Sequence, residues 1–290
     1  MSFPSASAEL HGSPSVGKRL SIARPPSSPY EDCDVLVLSS RSTLPDPTSV
    51  GNILLYLDLR VTLPVSPASS IDWAFSGLRY TLAPPESQQG AVRYRWEHSI
   101  DSHGTGEPLD EGTMVKRTGD DGQEVEVETG VGLNPETGEM GPYEEVWKEI
   151  GLPPNSPFVF LMSDPNPSSS TRFMAIVGEH GLALSQDGGR SAASCPKTFH
   201  ATRVRRAQEK MPSDSYETLY TTGYRSLEQQ IGRLWSAAAR RIKEKKEMWR
   251  RGESVVFTED KPNENSEDEW SWTVWDAGYV CPEHRAAGST

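Results

Sequence analysis

Cysteine is scarce in this chain: Cys33, Cys195 and Cys281 are the only three among 290 residues. They lie far apart, and no CxxC pair or Cys/His zinc spacing occurs. Neither a disulfide framework nor a structural zinc site is expected, and a reducing compartment suits the thiols. Long apolar runs are also missing. No stretch of about 18 apolar residues exists to span a bilayer, and the N-terminus lacks the apolar core of a signal peptide. Positive charge is in deficit, with 29 Lys and Arg against 41 Asp and Glu, a net charge of −12. That balance argues against broad nucleic-acid binding, which needs a basic surface to displace counterions. There is no GxSxG elbow, no GxxxxGK[ST], and no GxGxxG that follows a strand and opens a helix. Nucleophilic and nucleotide-dependent chemistry are unsupported. No metal and no cofactor are expected, and the chain reads as soluble and cytoplasmic.

What is present is β pattern. With 23 Pro and 24 Gly the chain is broken often, which suits many short strands better than a helical bundle. Residues 1–30, rich in Ser and Pro, read as a disordered arm. Cys33–Ser39 opens the ordered part as a strand. In Leu54–Leu63, Leu55, Leu57, Leu59 and Val61 fall on one face and Tyr56, Asp58, Arg60 and Thr62 on the other. Trp73–Tyr80 and Ala91–His98 follow as strands. Glu124–Glu128, EVEVE, reads as a strand whose carboxylates face solvent.

Pro153, Pro154 and Pro157 break the chain, after which a β pattern restarts. The reading is mainly β, in two domains at 31–152 and 157–282, with a tail at 283–290. One amphipathic helix is expected at 226–251 in the second domain. There Leu227, Ile231, Leu234, Trp235, Ala238, Ile242 and Trp249 recur at helical spacing, Ser226 would cap the start and Gly252 the end. The basic residues of that helix read as its solvated side.

Residues able to carry chemistry leave alternatives open. His98, Asp101 and His103 cluster in WEHSIDSHG, either as an acid/base pair or as a solvated strand end. Arg79, Arg93 and Arg95 interleave with Tyr80, Tyr94 and Trp96. In a barrel, one such set lines a cavity suited to a flat, anionic, unsaturated ligand, or else the aromatics fill a core and the arginines lie outside.

Two stretches are more distinctive. Ile71–Gly77 reads IDWAFSG, and Asn134–Ile150 reads NPETGEMGPYEEVWKEI, a turn running into an acidic segment with Tyr143 and Trp147. With WEHSIDS…DEGTM they resemble the N-terminal domain of the fungal Hri-type proteins, a family named for a member that interacts with a casein-kinase-1-type kinase. The likeness covers about Leu54 to Ile150, and the second half is similar in outline. It departs after Trp96, where Ser99-Ile100 replaces a second tryptophan.

The resemblance implies two lipocalin-like β-barrel domains. A branch of similar proteins acts in tropolone sesquiterpenoid pathways as hetero-Diels–Alderases, capturing an o-quinone methide with a humulene-type alkene. That activity would be cofactor-independent and would take a hydrophobic small-molecule substrate. The family's founding type implies instead a non-enzymatic kinase partner, and a hydrophobic-metabolite carrier that shares the pocket without turnover is a third reading. On the pericyclase implication, Trp73, Arg79, Arg95, Trp96, Tyr143 and Trp147 are the expected pocket residues, and His98 with Asp101 is the expected acid/base pair.

Overall fold

The computed structural model describes residues 9–43, 51–66, 69–83, 90–104, 109–119, 121–135, 137–163, 170–187, 198–207, 215–257 and 270–281. The first half contains β1 (Leu10–His11), β2 (Ser15–Ala23), β3 (Cys33–Ser39), β4 (Ser42–Thr43), β5 (Ile53–Thr62), β6 (Ile71–Leu82), β7 (Val92–Asp101), β8 (Asp110–Thr118), β9 (Glu124–Asn134) and β10 (Glu139–Glu149). Strands β1 and β4 form a short pair, and the other eight close a barrel in the order β10-β2-β3-β5-β6-β7-β8-β9. The second half contains β11 (Pro157–Ser163), β12 (Thr171–Val177), β13 (His180–Gln186), β14 (Phe199–Arg206), β15 (Tyr216–Thr221), α1 (Arg225–Lys243), β16 (Ser254–Val256) and β17 (Ser271–Tyr279). Its strands make one seven-stranded sheet, β15-β14-β13-β12-β11-β17-β16. Among the described residues the chain is mainly β with one helix, and a closed barrel beside a second sheet is consistent with a two-barrel arrangement.

The expected arm at 1–30 is corrected by β2, which pairs with both β10 and β3 and closes the barrel. Composition hid this strand because its alternation is interrupted: Ser21 pairs with Val146 and Arg19 with Trp147, so Leu20 bulges out of the ladder. Residues 1–8 and 282–290 lie outside the described residues. The helix is also shorter than expected. It ends at Lys243, and Lys245 takes a left-handed φ of 53°. Met248 and Trp249 are buried beyond its end, against Phe257 and the helix-covered face of the second sheet. Glycine does not end the helix, and Gly252 instead donates from its N–H to the Val274 carbonyl.

The main core lies between the halves. Leu55, Leu57, Leu59 and Val61 of β5 project from the barrel's outside, with Leu36, Leu38, Leu78 and Ile100, onto Phe158, Phe160, Phe173, Leu182 and Leu184 of the second sheet. The opposite face of that sheet is covered by Leu227, Ile231, Leu234, Trp235 and Ala238 of α1. The barrel therefore has two buried surfaces. Its apolar outside is a domain interface, which leaves the polar face of β5 to point inward.

Candidate functional site

Inside the barrel is a cavity of about 480 Å3, a size usual for small-molecule pockets. Its wall includes Tyr56, Asp58, Arg60, Trp73, Phe75 and Trp96. His98, Asp110, Glu128, Tyr143, Glu145 and Trp147 also belong to it. Both distinctive stretches of the sequence build this wall. In Ile71–Gly77, Trp73 and Phe75 face inward, and Gly77 lies so close to β7 that a Cβ would meet the Glu97 carbonyl oxygen at 1.8 Å. In Asn134–Ile150, the Gly138 N–H donates to the Asn134 carbonyl at 2.8 Å to close a turn, and Tyr143, Glu145 and Trp147 then alternate inward along β10.

The close approach at Gly77 accompanies a bulge. Gly77 pairs with His98 and Ser76 with Ile100, so Ser99 is extra. One inserted residue switches the alternation. His98 faces in, Ile100 faces out into the interdomain core, and Asp101 turns back toward His98. The His98 Nδ1 lies 2.6 Å from Asp101 Oδ2, and its Nε2 lies 3.2 Å from Asp110 Oδ2. The Phe75 ring stacks on the imidazole at 4.2 Å between centroids. Burial pulls the His98 pKa down, but hydrogen bonds to the two aspartates outweigh it and raise the pKa to about 9. At neutral pH the ring is a cation that donates from both nitrogens. Asp101 is fully buried and also accepts from Trp73 Nε1 at 2.9 Å and the His103 backbone N–H at 2.8 Å.

A second charged network crosses the barrel. Arg19 donates to Glu145 at 2.6 Å and to Glu31 at 2.9 Å. Arg60 donates to Glu145 and to Asp58, each at 3.0 Å, with its guanidinium 4.8 Å from the Trp73 ring centre. Burial works against the Arg60 charge, and Asp58 and Glu145 more than offset it. Glu128 pairs in register with Glu145 and makes no ion pair among the described residues, although the Arg60 charge acts on it; Tyr143 donates its hydroxyl to Glu128 at 2.7 Å. Burial, then the charges of Glu145 and Asp110, raise the Glu128 pKa to about 8. The Tyr56 hydroxyl and Trp147 Nε1 are buried with no hydrogen-bond partner among the described residues.

The family model of Protein HRI1 matches residues 15–275. The chain belongs to this family. A crystal structure of an uncharacterized protein from Saccharomyces cerevisiae is similar in fold, with a TM-score of 0.56 at 15% identity, over 92% of this chain and 99% of that one. At such identity the likeness concerns the fold alone. No curated protein matches the chain.

In this HRI1-family barrel, Trp73, Arg79, Trp96, His98, Tyr143 and Trp147 line the cavity. Asp101 stands behind His98 and outside the lining. Arg79 lies over the Tyr94 ring, 4.2 Å from its centre. Arg95, expected in the pocket, is outside the lining: it alternates with Tyr94 and Trp96, so it projects from the outer face and pairs with Glu111 at 2.6 Å. The expected solvent-facing carboxylates of 124–128 are also corrected, because Glu126 and Glu128 line the cavity and Glu128 is buried. Sequence reasoning missed Asp58, Arg60, Asp110, Glu128 and Glu145. The signal was the two-residue alternation in EVEVE and YEEVW, which fixes a shared face without saying that the face looks inward.

Among the described residues, Glu31, Asp32 and Cys33 bring ligand-type atoms within 4.8 Å of one another. Two of these groups suit a metal poorly: Glu31 is held by Arg19, and burial pushes the Cys33 thiol up. No helix among the described residues is long and apolar enough to cross a membrane.

Proposed function

We propose that the barrel holds a small, planar, oxygen-bearing substrate. We further propose that the protein is a cofactor-independent pericyclase of the hetero-Diels–Alderase type, joining a tropolone o-quinone methide to a humulene-type alkene. One observation carries the reading: the two distinctive stretches at 71–77 and 134–150, which carry much of the resemblance to the Hri-type proteins, both contribute to the inward wall of one aromatic-sided cavity. Trp73, Phe75, Trp96 and Trp147 offer flat faces for an unsaturated ring. The buried Tyr56 hydroxyl and Trp147 Nε1, without a hydrogen-bond partner among the described residues, are polar atoms of the kind that a bound molecule commonly satisfies.

The chemistry asks little of the protein beyond shape and one proton. In a hydroxymethyl tropolone the C–O bond breaks as water departs with a proton from an acid, and the ring hydroxyl gives up its own proton. The resulting o-quinone methide then forms one C–C and one C–O bond with the alkene, and no oxidant or reductant enters. Holding both partners in reacting geometry is the main source of rate, since well-oriented reactants gain up to roughly 7–11 kcal/mol.

Purified protein incubated with a hydroxymethyl tropolone and a humulene-type alcohol tests this against a protein-free control. Accelerated formation of one stereoisomer is the expected result. Tight binding without acceleration would assign the barrel to a carrier. Neither binding nor acceleration would favour the kinase-partner reading, with a pull-down as the next step.

A further inference from the structure

Glu128 has a place built for it. Gly112 of β8 pairs in register with Gly130 of β9, and neither carries a side chain into the barrel. A Cβ at Gly112 would lie 2.8 Å from Glu128 Oε1 and 3.2 Å from the Trp96 ring. A Cβ at Gly130 would lie 2.6 Å from the Tyr143 hydroxyl oxygen. The two glycines leave a niche that the Glu128 carboxyl and the Tyr143 phenol fill together. Across the ladder sits Glu145, directly opposite Glu128, with both side chains on the inner face.

The neighbours divide the two carboxyls into different roles. Glu145 accepts from Arg19 and Arg60, so its charge is balanced. Glu128 faces Tyr143 and Glu145 from β10, Asp110 from β8 and Arg60 from β5. Its hydrogen bond is with a neutral phenol. His98, the largely buried imidazole of the wall, already directs both nitrogens at aspartates. Of the three buried carboxyls that line the cavity, Asp58, Glu128 and Glu145, Glu128 alone makes no ion pair among the described residues, whereas Asp32, Asp72 and Glu149 are exposed and Glu126 is half-buried. Paired acidic groups pushed apart by their surroundings are a recurring way to obtain an acid at neutral pH.

We propose that Glu128, in its protonated form, is the proton donor of this cavity and seats a carbonyl or departing hydroxyl oxygen of the substrate. The proposal deepens the pericyclase reading and rests on it for the reaction. In the dehydration, the Glu128 O–H proton passes to the hydroxymethyl oxygen as the C–O bond breaks. Water leaves, and the carboxylate, stabilised by the Tyr143 hydroxyl, regains a proton from the ring hydroxyl. The substrate has lost water and Glu128 is unchanged.

Tropone is the probe for the test, a neutral ketone with no proton to lose, and quenching of the wall tryptophans is the readout. Wild-type protein should bind tropone at pH 6 and lose at least about tenfold in affinity once Glu128 ionises. In Glu128→Gln the step near pH 8 should vanish. A wild-type affinity with no such step, or no tropone binding at any pH, overturns the proposal whatever the coupling assay gives, so its failure is distinct from that of the pericyclase reading. In the coupling assay Glu128→Gln should keep ligand binding and lose roughly 10²–10⁴ in rate; turnover at the wild-type rate overturns the proposal. If circular dichroism shows Glu128→Gln unfolded, Tyr143→Phe serves instead. It removes a hydrogen bond that lowers the Glu128 pKa, so the step should move to higher pH, and an unmoved midpoint overturns the assignment.

Discussion

A single imidazole shows how far local contacts set chemistry. His98 is charged at neutral pH because hydrogen bonds to Asp101 and Asp110 overcome the opposing effect of burial. Asp101→Asn should therefore bring the His98 pKa down from about 9, read from the pH dependence of its ring proton shifts in NMR. An unchanged midpoint would mean that Asp110 alone holds the proton. Stability follows the same protons. The folded pKa of His98 is raised above its ordinary 6.5, so folded protein binds the proton more tightly and that stabilisation is complete below pH 6.5. It is lost as pH climbs through about 9, a contribution on the order of 3 kcal/mol. Glu128 adds in the same direction, since it too keeps its proton longer when folded, up to about 8 against an ordinary 4.5. The denaturant midpoint should decline from pH 6.5 to 9, and Glu128→Gln should flatten the lower part of that slope. A midpoint constant over this range would contradict both protonation states.

At the scale of strands, register decides what a residue can do. The sequence spacing of His98 and Asp101 was visible, but two positions three apart in an ideal strand point to opposite faces. The Ser99 bulge, which needs the bare Gly77 opposite, brings them together. Alternation in 54–63 was equally visible, yet the period alone does not tell a barrel's inside from its outside. The leucine face went to the second sheet because that sheet offers the larger apolar surface, and Asp58 and Arg60 turned inward, where each has a partner. The same ambiguity hid Glu128 in what looked like a solvated strand.

Another contact reaches the site from the second sheet. Gln186 at the end of β13 donates to the Asp101 carbonyl at 2.7 Å and accepts from its N–H at 3.3 Å, so the second half holds the backbone behind His98. Gln186→Ala should cost about 1–3 kcal/mol by chemical denaturation. It should also broaden the His98 ring signals, because Asp101 loses its support. Unchanged stability together with unchanged signals would show the clamp to be incidental.

For the whole molecule, the consequence is that neither half is self-sufficient. A free-standing lipocalin-like barrel keeps its apolar residues inside, whereas here Leu36, Leu38, Leu55, Leu57, Leu59 and Val61 are fully buried only because the second sheet lies on them. Ties across the same interface are polar and specific. Arg41 of the first half pairs with Asp276 at 2.7 Å, and Trp275 Nε1 donates to the Ser40 hydroxyl at 3.0 Å. Leu57→Ala, at the centre of the apolar stripe, should cost about 2–5 kcal/mol in thermal or denaturant unfolding. Residues 1–152 produced alone would expose the stripe, a patch well beyond what soluble monomers tolerate. They should elute as oligomers or precipitate, and residues 153–290 added in equal amount should return them to a single heterodimer by size-exclusion chromatography. A monomeric barrel half that titrates His98 and Glu128 like the full chain would contradict this. It would mean that the cavity's charged wall is organised by the barrel strands alone, with no contribution from the sheet behind it.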